Sequence, residues 1–128
     1  MNEFLHTIAI AMVLTVYLWS GLLFKPRNFK HVRQELTGKG VPFASALLVG
    51  AILLETVGAV ALLLPKSWME NDVRFPIIGM YIFYTGLAAI LFHAFWSSAP
   101  EERIGQTVNF LKNVGLIGAF ILIGQSYQ

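Results

Sequence analysis

The chain has 128 residues, enough for one domain, and 56% of them are hydrophobic while only 12% are charged. Soluble domains carry roughly a quarter charged residues, and a 14.2 kDa globule with mean hydropathy +0.66 buries too small a share of its surface to hide that much apolar area from water. Lipid must solvate much of it. The absence of cysteine removes disulfides, thiolate metal sites and thiol relays, and a net charge of +2, concentrated in one loop and mixed with acids, excludes nucleic acid as a partner.

Continuous apolar runs long enough to cross a bilayer, at about 20 residues per crossing, occur four times. They predict an all-α membrane protein, a single four-helix bundle with spans at residues 4–24, 43–64, 76–96 and 108–124. The runs are unbroken rather than alternating, which argues against a β-barrel. The first has no basic head and no small-residue cleavage site before Lys25-Pro26-Arg27, so it reads as a retained span rather than a signal peptide. Between spans one and two, Phe29, Val32 and Leu36 share a helical face while Lys30, Arg33 and Gln34 turn away. That pattern predicts a short interfacial amphipathic helix, ended by Gly38 or Gly40, lying against anionic lipid headgroups. Pro42 and Pro76 suit the first turns of spans two and three, where proline loses no helical hydrogen bond.

Loop charge sets the expected orientation. Lys25, Arg27, Lys30, Arg33, Lys39 and Arg103 fall on one side, against Lys66 and Arg74 on the other. The positive-inside rule therefore puts loops one and three in the cytoplasm and both termini outside. Trp68, Tyr127 and Trp96 suit aromatic belts at the two interfaces.

The informative residues are those that lipid would reject. Glu55 lies deep in the second span, among Ala51, Gly58 and Ala59. A lone carboxylate in hydrocarbon costs several kcal/mol, so it must face protein, pair or take a proton, and small neighbours let helices approach it. In the third span Gly79, Ile82, Gly86, Ala89, His93 and Trp96 form a stripe. In the fourth, Gly105, Val108, Lys112, Gly115 and Ala119 do the same, with Gln106, Asn109 and Asn113 on an adjoining face. The first span offers Tyr17 and Ser20. By helical rise, His93, Lys112 and Asn113 share a depth roughly 5–8 Å from the inner end, and Glu55 sits higher, at roughly 18 Å. His93 and Lys112 are thus the better-matched pair, while a Glu55–Lys112 bond needs strain or a bridging group. The expected site is a cytoplasm-facing polar pocket of Glu55, His93, Lys112 and Asn113. The competing interpretation is that these groups are hydrogen-bonding glue between helices. His6 reads as an interfacial residue, and Tyr81/Tyr84 as belt or packing. No phosphate loop or nucleophile elbow occurs, and His6, His31 and His93 are too scattered to hold a metal or haem.

Ser20-Gly21 followed by Phe24-Lys25, then Gly40-Val41-Pro42, Glu55 in a Gly/Ala-rich span, Phe92-His93-Ala94-Phe95-Trp96, Gln106 and Phe110-Leu111-Lys112-Asn113 together resemble the DoxX family of small membrane proteins, from about residue 17 to 123. The resemblance implies a four-helix membrane bundle in the bacterial plasma membrane. It also implies an association with quinone-linked sulfur oxidation or with oxidoreductase assemblies that act against oxidative stress. Carried over by position, it adds Lys25, Trp96 and Gln106 to Ser20 and Asn109 as a second tier of site residues. The cysteine pairs of some relatives are missing, so thiol–disulfide chemistry is not carried over.

Three functions follow as expectations. The first is an accessory or structural subunit of a membrane oxidoreductase or respiratory assembly, in contact with other membrane subunits or with copies of itself. The second is a quinone- or small-anion-binding protein, with no cofactor evident in the sequence beyond an implied quinone. The third is a small proton-coupled exporter, disfavoured because the deep acid lies in the second span rather than the first. No catalytic motif is visible.

Overall fold

The structure is a computed structural model that describes residues 2–128, all-helical with no strand among them. Four helices are long and apolar enough to cross a membrane: α1 (Glu3–Arg27), α3 (Ala44–Leu63), α4 (Asn71–Phe92, continued by a 3-10 turn Phe95–Ser97) and α5 (Arg103–Gln125). Between α1 and α3 lies α2 (Phe29–Gly38). By contact the chain divides into two compact units, residues 1–74 and 75–128.

In the first unit α1 and α3 form an antiparallel pair: the Glu3–Trp19 stretch of α1 meets Ala59–Leu63. Ile10, Leu14, Tyr17, Leu48, Ala59 and Leu62 make the buried seam. Both helices widen into π-helical turns, at Ser20–Phe24 near the end of α1 and at Leu54–Gly58 within α3, and these two turns face each other. The α1 helix does not stop at residue 24 as its apolar run suggested. It continues to Arg27, through Pro26, because the Lys25 N–H reaches back five residues to the Ser20 carbonyl. Proline has no N–H to offer the helix ladder.

The expected amphipathic helix is present as α2, but its apolar face is used within the protein. Val32 and Leu36 are buried and the helix packs along Ala44–Leu53 of α3. Its exposed side carries Lys30, Gln34 and a polar contact of 2.8 Å between His31 Nε2 and Glu35 Oε1. The helix ends in a Schellman turn, with Val41 N–H donating to the Leu36 carbonyl and Gly40 N–H to that of Thr37, both at 3.0 Å. Gly40 takes the left-handed conformation that this turn requires, at φ +79°.

Both proline expectations fail. Pro42 lies in the turn ahead of α3, which starts at Ala44 after Phe43 in left-handed backbone at φ +53°. Pro76 lies inside α4, which begins five residues earlier at Asn71. An apolar run marks only the lipid-solvated part of a helix, so polar first turns such as Asn71-Asp72-Val73-Arg74 escape it. For the same reason α5 starts at Arg103 rather than 108. Arg74 is only 3% exposed. Its guanidinium donates to the Lys66 and Met69 carbonyls, at 2.8 and 2.7 Å, and to the Asn71 side-chain oxygen.

In the second unit α4 and α5 pack through Tyr81 stacked on Phe120, with ring centroids 4.8 Å apart and both rings fully buried. Tyr81 is therefore a packing residue. A Cβ added at Gly86 would meet Ile117, and one at Gly124 would meet Ile78, each at ordinary contact distance. Gly79, Gly105 and Gly115 have open space where a side chain would stand, so the small-residue stripes of the sequence are only partly used. Tyr127 is buried rather than part of an aromatic belt, whereas Trp68 and Trp96 are 72% and 56% exposed.

Gly40 and Gly38 separate backbone strain from helix propensity. Gly40→Ala should lower stability by about 1 kcal/mol, while Gly38→Ala, inside the last helical turn with free space around it, should be neutral or stabilising. Thermal unfolding in detergent micelles checks both.

Candidate functional site

The polar groups of the first unit meet where the two π turns face each other. Lys25 Nζ lies 2.8 Å from Glu55 Oε1, and their side chains are 14% and 3% exposed. Ser20 completes the group: its hydroxyl accepts from Lys25 Nζ at 2.5 Å and donates to Glu55 Oε1 at 3.3 Å. Each donor has an acceptor, and no buried side-chain nitrogen or oxygen among the described residues lacks a partner.

Local backbone geometry makes this cluster. In a regular helix, residues five apart are rotated about 140° away from each other, so Ser20 and Lys25 would lie on different faces. The wider π turn brings them round to the same side, and it stacks Trp19 on Phe24, also five apart, with ring centroids at 5.4 Å. Helix crossing does the rest. A Cβ on Gly21 would stand 2.8 Å from Glu55 Cβ and 2.9 Å from Thr56 Cγ2, so Gly21 sits at the level of Glu55 and nothing larger fits. Lys25 lies four residues further along, about 6 Å by helical rise. Side chains on a helix lean toward its N-terminus, so the lysine stem runs back along α1 to the carboxylate.

Glu55 is thus satisfied by Lys25 and Ser20, residues of α1. Depth alone leaves Glu55 only a strained or bridged bond to Lys112, and the loop-charge count treats Lys25 as cytoplasmic surface charge. Among the sequence-selected residues, Ser20, Lys25 and Glu55 are brought together. In the sequence Gly21 enters only through the family resemblance; its role in the helix crossing is marked there by a glycine beside a serine, four residues before a lysine that is followed by proline.

In the second unit α4 ends at Phe92, so His93 and Trp96 do not continue its helical stripe. The chain turns through Phe95–Ser97, and His93 Nδ1 lies 2.8 Å from Gln106 Oε1 of α5, both side chains half-buried. Phe95, Trp96 and Phe110 pack edge to face around this bend, with centroids 5.2–5.6 Å apart. Asn113 donates to the Thr85 carbonyl at 3.4 Å, which ties α5 to α4 beside buried Thr85. Lys112 is exposed and has no hydrogen-bond or ion-pair partner among the described residues. The expected His93–Lys112 pairing is replaced by His93–Gln106. Asn109 is half-buried, as is His6 on α1. No group of three or more metal-ligating His, Cys, Asp or Glu side chains occurs among the described residues.

These features define a class: a small α-helical membrane protein with four candidate spans, whose deep polar groups are held in side-chain bonds. The chain is 23% identical over 116 residues to the inner membrane protein YphA of Escherichia coli K12, a match covering 91% of this chain and 76% of that protein. No family model and no solved structure matches.

The Lys25–Glu55 pair and the Gly21 crossing give a graded expectation. Lys25→Ala leaves a buried carboxylate uncompensated and should cost about 3–5 kcal/mol, whereas the double change Lys25→Met with Glu55→Leu should recover most of that loss. Gly21→Ala should cost about 1–3 kcal/mol through overpacking. Unfolding followed by helicity in micelles measures all three.

Proposed function

We propose that this chain is a DoxX-like integral membrane protein of the bacterial inner membrane, serving as an accessory or structural subunit of an oxidoreductase or respiratory assembly. The carrying observation is that its most deeply buried charged group is closed. Glu55 is held by Lys25 and Ser20, and Gly21 packs directly over its Cβ. A carboxylate that worked on a substrate would need an open side, and this one serves helix pairing instead. The apolar surfaces of the spans support the same reading: between 11% and 22% of each span's most apolar stretch is buried within the chain, which leaves wide faces for lipid and neighbouring subunits. The likeness to an inner membrane protein agrees with this location. Loops one and three face the cytoplasm in this reading, and the basic side of α2, with Lys30 and neighbouring Arg27 and Lys39, meets anionic headgroups.

A second reading rests on a different observation. His93 and Gln106 present a paired ring nitrogen and amide beside the Phe95, Trp96 and Phe110 rings. An aromatic wall with one hydrogen-bonding imidazole suits a quinone headgroup or a small anion, and exposed Lys112 supplies positive charge on the same helix as Gln106.

Extraction from native membranes in mild detergent should give a particle well above the 14.2 kDa chain on native gels, carrying other membrane subunits; a lone particle of monomer mass contradicts the subunit reading. For the second reading, His93→Ala and Lys112→Ala should each lower quinone reduction by native membranes roughly tenfold, the scale of one lost charge-assisted hydrogen bond. Unchanged rates in both variants dismiss it.

A further inference from the structure

The loop between α3 and α4 plays no part in the site described above, yet it is built rather than loose. Arg74, 3% exposed, reaches back from the first turn of α4 to the carbonyls of Lys66 and Met69. It thereby fixes the 3-10 turn Lys66–Trp68 against the start of that helix. The result is a cleft of about 500 Å³, walled by Lys66, Trp68, Glu70, Asn71 and Arg74 among others. We propose that this cleft is a binding site for the headgroup of a zwitterionic phospholipid carrying a primary ammonium, that is, a phosphoethanolamine headgroup.

Three observations lead there. The cleft joins the end of one span, Leu63, to the start of the next, Asn71, so it opens at the height of the lipid headgroups. Its rim is Trp68, 72% exposed, an indole of the kind that settles between headgroup and acyl chain. Its exposed charges come in both signs: Lys66 on one hand, and on the other Glu70, whose carboxylate makes no ion pair among the described residues, while buried Arg74 is spent on holding the loop and adds only its field from behind the wall. A phosphodiester takes a charge-assisted hydrogen bond from the exposed Lys66 ammonium. The ammonium three bonds beyond the ester oxygen then falls to Glu70. A quaternary choline has no N–H to donate, and a glycerol headgroup has no positive charge, so the carboxylate discriminates against both. The volume exceeds what inorganic phosphate alone would fill and leaves room for the whole headgroup.

The test uses the full chain in nanodiscs containing equal amounts of phosphatidylethanolamine, phosphatidylcholine and phosphatidylglycerol, released into native mass spectrometry. The wild-type protein should retain phosphatidylethanolamine several-fold over the other two. Lys66→Gln should lower total retention roughly tenfold, and Glu70→Gln should level ethanolamine with choline while leaving phosphate-dependent retention in place. Both residues are exposed, and circular dichroism confirms that the variants fold. Equal retention of the three lipids by the wild type overturns the proposal, as does a pattern unchanged in both variants. So does water-soluble glycerophosphoethanolamine binding as tightly as the lipid, because the site would then serve a soluble ligand.

Discussion

A lysine and a glutamate held against each other in an apolar helix pair constrain everything around them. Neither charge can be left alone in hydrocarbon, where a single ionised side chain costs about 2.5–3.5 kcal/mol or more at mid-bilayer. The pair at 2.8 Å therefore fixes the register of α1 against α3. That register requires a glycine at residue 21, because the two backbones pass too close for a side chain there. It also requires the wider π turn of α1, without which Ser20 and Lys25 would face different ways. One electrostatic demand thus accounts for a backbone irregularity, a small residue and a helix that runs on through a proline.

The fold class was legible because the bilayer imposes it. Four long apolar runs allow few other solutions when every backbone polar group must bond internally, and all four helices lie where those runs are. Their ends were less legible. Polar first turns such as Asn71–Arg74 and Arg103–Gln106 carry no hydropathy signal, and Pro42 and Pro76 took positions outside the first turn. The helix α2 was readable from its spacing of Phe29, Val32 and Leu36, but the sequence could not say what its apolar face covers. That face lies on Ala44–Leu53 of α3.

Individual site residues were more legible than their pairings. Glu55 announces itself as a carboxylate in hydrocarbon, but its partner Lys25 looks like ordinary loop charge, since it follows the apolar run and precedes a proline. Assigning it needs two things that regular helical spacing does not contain: the extension of α1 to Arg27 and the backward lean of the lysine stem. Matching by depth suggested His93 with Lys112. It failed because α4 ends at Phe92, and the bend that follows gives His93 to Gln106 instead. Residues at one depth still need a shared face.

The central claim is that Lys25 turns inward to Glu55 rather than outward with the other basic residues of its loop. Magic-angle-spinning NMR on protein in lipid bilayers, with ¹⁵N on the lysine side chains and ¹³C on the glutamate carboxyls, reads that distance directly. The account predicts one strong cross-peak between Lys25 Nζ and the Glu55 carboxyl carbon, at a separation of about 3–4 Å, as expected for a direct charge-assisted hydrogen bond. A Lys25 signal with no Glu55 cross-peak, exchanging freely with water, would contradict it.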